Sequence, residues 1–300
     1  MENSGATYSI GDIINRYKSH EYHVSVLDFM QNQIRLMRKA NRLGTALNYE
    51  KTMKNFAEFL SGVNLPFSAM TEQLIADYNA FLVQRGMGRN SISFYMRIMR
   101  AVYNKAVRQK LVEQSHPFTE VYTGIDRTRK RARAVSESVI SQLYKLKLAE
   151  GTHLVLAKDI FIFSYCTRGM AFVDIAYLKK ENIQNGVICY ARRKTGQLLS
   201  VRIEPSIQRI IDRYSSVLSP YVFPILTSME TKQAYEEYQT AINNHNRLLR
   251  RLSKMLPAGC KLTSYTSRHS WATAARNQMC LFSSSVKEWD IPRNRQLRFI

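Results

Sequence analysis

Residues 262–273 read LTSYTSRHSWAT, and no other stretch of the chain decides as much. A polar Thr-Ser turn leads into a helical pattern that sets Arg268 and His269 side by side at the helix start. Arginine offers a planar fork of donors to phosphate oxygens, and an adjacent imidazole can donate or move a proton. The pair therefore suits a phosphodiester; the alternative is an Arg and a His capping a helix on a basic surface. Two other segments bear on the choice. FSYCTRGMAFVDIAYL, residues 163–178, carries Arg168, and CYARRKTGQLLSVRI, residues 189–203, places Lys194 on an expected hairpin turn.

The charge balance points to a polyanionic partner. Lys and Arg number 44 against 23 Asp and Glu, a net charge of +21 with a pI near 10. Nucleic acid or an anionic membrane surface would answer such an excess. No apolar run approaches the ~18 residues of a membrane span, and the opening MENSGATYSIGD is acidic and polar, unlike a signal sequence. Nucleic acid is the expected partner, with no membrane. Cys166, Cys189, Cys260 and Cys280 are scattered without a C-x-x-C pair, which argues against structural zinc and fits a reducing cytoplasm. No Walker loop or dinucleotide-binding glycine pattern occurs, and the histidines fall in no ligand pattern, so no metal or cofactor is expected.

The first third reads as a helical bundle. In residues 45–60, Leu47, Met53, Phe56, Ala57 and Leu60 fall at helix spacing. Residues 70–88 predict a further helix closed by Gly86 or Gly88. In residues 90–110, Ile92, Tyr95, Met96, Met99, Val102, Tyr103 and Ala106 form one apolar stripe, with Asn90 or Ser91 as the expected N-cap. Arg97, Arg100, Lys105 and Arg108 mostly occupy the other side, either as a solvated face or as phosphate contacts. Residues 1–20 read as a tail and 21–115 as the bundle.

A linker is expected over 116–135, where Pro117 and Gly124 break regular structure. Its dense basic run, Arg127, Arg129, Lys130, Arg131 and Arg133, either stays solvated or lies on a DNA backbone as two domains close around the duplex. Ser136 then caps a helix that opens the second domain, 136–278. VICYARRK and LLSVRIE flank Thr195-Gly196 as a hairpin, and 206–218, 231–256 and 267–278 read as helices. The fold class is thus mainly α with a small β-hairpin sheet.

Taken in order, the T-R-G-M-x-F-x-D-x-A-x-L string at Thr167, the hairpin lysine and the R-H-S-W-A-T string at Arg268 resemble the tyrosine recombinases, the phage-integrase family. The resemblance runs from about Tyr22 to Gln278. It implies a two-domain clamp, with a helical core-binding domain and an α-rich mixed catalytic domain. It also implies cleavage and rejoining of double-stranded DNA through a 3′-phosphotyrosine, without metal or ATP, by a homo-oligomer on the DNA. Arg168 and Arg268 would answer the charge on the non-bridging oxygens of the transition state, where losing one donor typically costs about 10²–10³ in rate. For Arg168 the alternative is a buried ion pair with Asp174. Lys194 would protonate the leaving 5′ oxygen, as the family's hairpin lysine does; alternatively it is an exposed lysine beside Arg192 and Arg193, either of which could shift the register. Arg192 and Arg193 are counted among the DNA contacts. Tyr265 stands where most of the family has His, and with a reference pKa of about 10 it is read as a positioning residue. His269 is read as more structural than catalytic.

The resemblance stops before the family's Gly-His pair and nucleophilic Tyr: after Tyr265 the chain has no tyrosine. Residues 279–300, MCLFSSSVKEWDIPRNRQLRFI, lose helical periodicity. Glu288 to Ile300 can be encoded so that the frame starting at the third base of the Glu288 codon reads MGHTSEQTTQIY, which has the family's ending. The expectation is a frame shift near Gln278 and a chain with no nucleophile. The rival readings are a non-catalytic DNA-binding protein that occupies recombination sites and, with less support, a basic RNA-binding protein.

Overall fold

The computed structural model describes residues 24–126, 134–215, 219–257 and 259–277. The chain divides into two compact units between Lys130 and Arg131.

In the first unit, four helices bury apolar stripes against one another. Helix α1 (Val26–Lys39) is capped by Ser25, whose Oγ accepts from the Asp28 N–H. It buries Val26, Phe29, Met30, Ile34 and Met37, a helical spacing. Helices α2 (Leu43–Phe59) and α3 (Glu72–Gln84) follow; Thr71 caps α3, and Gly86 supplies the positive φ of +71° that ends it. Helix α4 (Arg89–Arg108) buries Ile92, Met96, Met99, Val102, Tyr103 and Ala106, as the stripe predicts. Its N-cap is Gly88, with no side-chain bond. The expected cap Asn90 instead pairs with the backbone of Asp126, donating to its carbonyl at 3.0 Å and accepting from its N–H at 2.8 Å. The reason is tertiary: residues 116–126 pack on this unit. Phe118 lies in its core, and Ser93 Oγ donates to the Gly124 carbonyl. The apolar side chain of Phe118 overrides the turn signals that made this stretch read as linker. The basic run Arg127, Arg129, Lys130, Arg131 and Arg133 lies outside the described residues, as does the tail from 278.

The second unit is built around one helix. Helix α5 (Glu137–Lys145) starts at Ser136, whose Oγ accepts from the Val139 N–H. Helix α6 (His153–Cys166) is apolar on every side, and α5, α8, α9 and α10 all pack on it. The short helix α7 (Phe172–Ala176) precedes a three-stranded antiparallel sheet, β1 (Ile183–Gln184), β2 (Val187–Ala191) and β3 (Leu198–Arg202), in that order. Ile188 and Tyr190 point inward between exposed neighbours, so the hairpin has one buried face. The strand β1 has no counterpart in the sequence reading, because two residues are too few to show a period. Helices α8 (Pro205–Arg213), α9 (Thr231–Ser253) and α10 (Thr266–Asn277) complete the unit. Among the described residues, no helix is long and apolar enough to cross a membrane.

Asp159 and His245 are among the polar residues buried in this unit. Asp159 on α6 is satisfied by Arg213 Nη1 at 2.6 Å and the Tyr214 hydroxyl at 2.8 Å. His245 on α9 is buried and stacks on Phe172, with ring centres 4.6 Å apart. Burial pulls its pKa down to about 4 from 6.5. Because the folded chain holds this imidazole neutral, its contribution to stability is whole above pH 6.5 and is lost as pH falls towards 4. Between pH 7 and pH 5 that loss comes to about 2 kcal/mol. Denaturant melts at the two pH values should show His245→Leu less destabilised by acid than the parent by that amount. Equal acid sensitivity would contradict the buried neutral imidazole.

Candidate active site

The site begins where α6 ends. Thr167 closes the helix, its N–H and hydroxyl both donating to the Phe163 carbonyl at 2.8 and 2.7 Å. Arg168 and Gly169 then adopt left-handed backbone, φ +60° and +71°, and the Gly169 N–H returns to the Ser164 carbonyl at 2.8 Å. For a non-glycine residue this conformation costs about 1–2 kcal/mol. It leaves the Arg168 side chain exposed, at the lip of a buried turn. The considered Arg168–Asp174 ion pair does not occur among the described residues; Asp174 is buried and its Oδ1 accepts from the Arg193 N–H at 2.9 Å.

Arg268 arrives from the other side on the first turn of α10. The turn is fixed by Thr263 and Thr266, which exchange bonds: the Thr266 N–H donates to the Thr263 carbonyl at 2.9 Å, and the Thr263 N–H to Thr266 Oγ1 at 3.1 Å. The two segments are joined beneath the surface. Ser164 Oγ donates to the Met170 carbonyl at 2.7 Å and shares a hydrogen bond with Ser267 Oγ, 2.7 Å away, which also reaches the Ser264 carbonyl at 3.3 Å. Ser164, Met170 and Ser267 are buried. Above this bond, Arg268 Nη1 donates to the Gly169 carbonyl at 3.1 Å. A Cβ at Gly169 would lie 2.9 Å from Arg268 Cγ and 3.0 Å from its Cα. The two arginines are thus neighbours because a glycine turn and a helix start are pressed together.

The hairpin closes a third side. Its turn is held by the Arg192 N–H on the Gln197 carbonyl, 2.8 Å, and the Gly196 N–H on the Arg192 carbonyl, 2.7 Å. Arg193 is tied back: besides its N–H on Asp174, its guanidinium lies 3.7 Å from the centre of the Tyr177 ring. Lys194, the next residue, is exposed on the turn. Arg193 stacks on protein, Arg192 contributes to the potential at Arg268, and Lys194 is left to solvent.

Charge at the site is unbalanced. Burial lowers the Arg268 pKa, the neighbouring Arg192 lowers it further, and Tyr265, Tyr190 and Asp174 oppose them. Burial raises the Asp174 carboxyl, against the Arg193 N–H and the charges of Arg192, Arg268 and Arg193. Burial also raises the Tyr190 phenol, helped by Asp174 and opposed by Arg268, Arg192 and Arg168. Three guanidiniums therefore act on one buried tyrosine with Asp174 as the acid beside it, which leaves net positive potential for an anion.

Tyr265 is 56% exposed, its ring 5.2 Å from that of His269, which is half-buried one helical turn on. Sequence reading found Arg168, Arg268, Tyr265, His269 and the hairpin cations, and the second unit gathers them in and around these elements. Arg97, Arg100 and Arg108 belong to the first unit, exposed along α4. Sequence reading missed Ser164, Ser267 and Gly169. The glycine was signalled by its place directly after Arg168, whereas a serine pair 103 residues apart has no local signal.

Residues 25–121 match the phage integrase SAM-like domain. The fold is that of solved tyrosine-recombinase integrases over most of the chain. The structure is similar to a lambda integrase dimer bound to a COC′ core site, at TM-score 0.59 and 14% identity over 85% of this chain and 91% of that one. It is also similar to the Tn1549 transposon integrase in complex with a circular intermediate DNA, at TM-score 0.60 and 15% identity over 85% and 88%. A lambda integrase tetramer bound to a Holliday junction matches at TM-score 0.60 and 14% identity over 92% and 80%. No curated protein matches the sequence.

The packing makes Gly169 a sharp test. Gly169→Ala adds a methyl into Arg268 at a positive φ, whereas Gly186→Ala meets the same φ of +71° with nothing within 4 Å. The first should cost at least about 2 kcal/mol and the second about 1 kcal/mol in urea unfolding. Equal costs would contradict the close approach of turn and helix.

Proposed function

We propose that the chain is a DNA-binding protein of the integrase type whose second unit grips a phosphodiester between Arg168 and Arg268. The observation that carries this reading is the joined turn, in which Ser164 bonds Ser267 while the Arg168–Gly169 turn supports the Arg268 guanidinium. A pentavalent transition state adds charge on two non-bridging oxygens, and two preorganised guanidiniums match that charge without reorganisation. Lys194, free on the hairpin turn, is suited to protonate a leaving 5′ oxygen, and the exposed Tyr265 phenol to hydrogen-bond the phosphate. His269 supports Tyr265 from the next turn.

Duplex DNA is the proposed partner. Arg97, Arg100 and Arg108 along α4, the basic run from Arg127 to Arg133, and Arg192 beside the site would meet backbone phosphates. The lambda integrase structures, a dimer on a core site and a tetramer on a Holliday junction, support a homo-oligomer on DNA. A reducing cytoplasm suits the scattered cysteines.

Strand cleavage in this scheme needs a tyrosine to take the phosphate, and the sequence has none after Tyr265. The reading that follows is a frame-shifted recombinase, impaired in forming a 3′-phosphotyrosine. The second reading, a non-catalytic protein that occupies recombination sites, is favoured by the same missing residue.

Binding of a duplex measured across salt concentrations tests the partner. The logarithm of the association constant should fall linearly with the logarithm of salt, by about 0.9 per phosphate neutralised. Duplex should bind more tightly than single-stranded RNA. A flat salt dependence, or preference for the RNA, would overturn the proposal.

A further inference from the structure

Three cations follow one another at the hairpin turn, Arg192, Arg193 and Lys194, and by sequence each has an equal claim on the phosphodiester. The short helix α7 treats them unequally. It leads from the Arg168–Gly169 turn towards the sheet, and it engages Arg193 twice. Asp174, buried on α7, accepts from the Arg193 N–H at 2.9 Å, which fixes the backbone of the turn. Tyr177, the residue that caps α7, lies under the Arg193 guanidinium, whose central carbon is 3.7 Å from the ring centre. The corresponding separation for Arg89 over Tyr122 is 4.2 Å, so the contact at Arg193 is the tighter one.

The ring is braced from within. Tyr177 is half-buried, and Tyr238 of α9 stands 6.1 Å from it, centre to centre. Tyr238 is also 6.1 Å from Phe172, which stacks on the buried His245 at 4.6 Å. A row of aromatic rings thus runs from the core to the hairpin and ends under Arg193. The turn above it is tight, because the Thr195 and Gly196 N–H groups both donate to the Arg192 carbonyl, at 3.3 and 2.7 Å. Fixing Arg193 therefore fixes the residue that follows it. Arg193 and Lys194 are both exposed, but the cation of Arg193 is engaged by the ring face.

We propose that Tyr177 is a positioning residue that withholds Arg193 from DNA and so leaves Lys194 as the cation the turn presents to the scissile phosphodiester. This role rests on the proposed function and deepens it by naming what selects the lysine among three adjacent cations. Tyr177 touches no substrate; it acts through Arg193. Arg193, expected from sequence among the DNA contacts, serves instead to hold the turn.

Two measurements on the full chain test the role. The first is the salt slope of binding to a duplex of arbitrary sequence. Arg192→Gln should flatten the slope by about 0.9, one phosphate contact, and Arg193→Gln should leave it unchanged. Tyr177→Leu should steepen it by about 0.9, as the released Arg193 joins the phosphates, and adding Arg193→Gln to Tyr177→Leu should cancel that change. The second uses a duplex with random abasic sites, whose aldehydes condense with lysine amines to imines that borohydride reduces to stable links. The share of links made by Lys194 should fall about threefold in Tyr177→Leu, the population shift that a cation–ring contact commands at an exposed site. Tyr177→Phe, which keeps the ring, should keep that share. If Arg193→Gln flattens the slope as Arg192→Gln does, Arg193 is a DNA contact and the role is wrong; that variant changes an exposed side chain, so the result stands whether or not Tyr177→Leu folds. An unchanged Lys194 share in folded Tyr177→Leu also overturns it. A parent chain that binds duplex without salt dependence would instead remove the proposed function, so the two failures are distinguishable.

Discussion

The bond between the buried hydroxyls of Ser164 and Ser267 is the constraint on which the second unit's geometry depends. It ties the last turn of α6 to the first turn of α10, and Ser164 also serves the Met170 carbonyl. Breaking it would leave polar atoms unpaired in a core that offers few replacements, a cost of about 1–3 kcal/mol for each orphaned group. With it in place, Gly169 and the Arg268 backbone are forced into contact, and Arg268 can reach the Gly169 carbonyl. The left-handed backbone at Arg168 is the other side of this arrangement. The fold holds this non-glycine residue in an unfavourable conformation, and that conformation turns its side chain out of an apolar helix end.

Around Asp174 and Tyr190 the guanidiniums of Arg168, Arg192, Arg193 and Arg268 outnumber the acids. Such preorganised positive charge matches the phosphodiester proposed as the ligand. The deep interior is handled differently. Asp159 has its arginine and tyrosine partners, and His245 gives up its charge to stack on Phe172.

Much of the fold was legible because it rests on local rules. The stripe of α4, the cap at Ser136 and the turn around Gly196 are written in spacing and residue type, and the structure has all of them. What escaped depended on distant partners. Asn90 looks like an N-cap, yet Asp126 engages it, and Phe118 makes part of an apparent linker into core. The site divides in the same way. Arg168 and Arg268 stand out by motif, but the serine pair that brings them together cannot be read from either segment alone. The alternative of a buried ion pair for Arg168 does not occur among the described residues, because a turn at positive φ, which sequence does not announce for arginine, carries the side chain outward.

The central claim is the proposal that Arg168 and Arg268 form a preassembled site for a phosphodiester, which a tyrosine from the alternative frame would attack. A nicked suicide duplex tests it most directly, incubated with the chain as given and with a version whose reading frame is restored near Gln278, so that MGHTSEQTTQIY is translated. The account predicts a covalent protein–DNA adduct with the restored version alone, and loss of that adduct when Arg268→Ala is added. An adduct formed by the chain as given, or one from the restored version that is indifferent to Arg268→Ala, would contradict it.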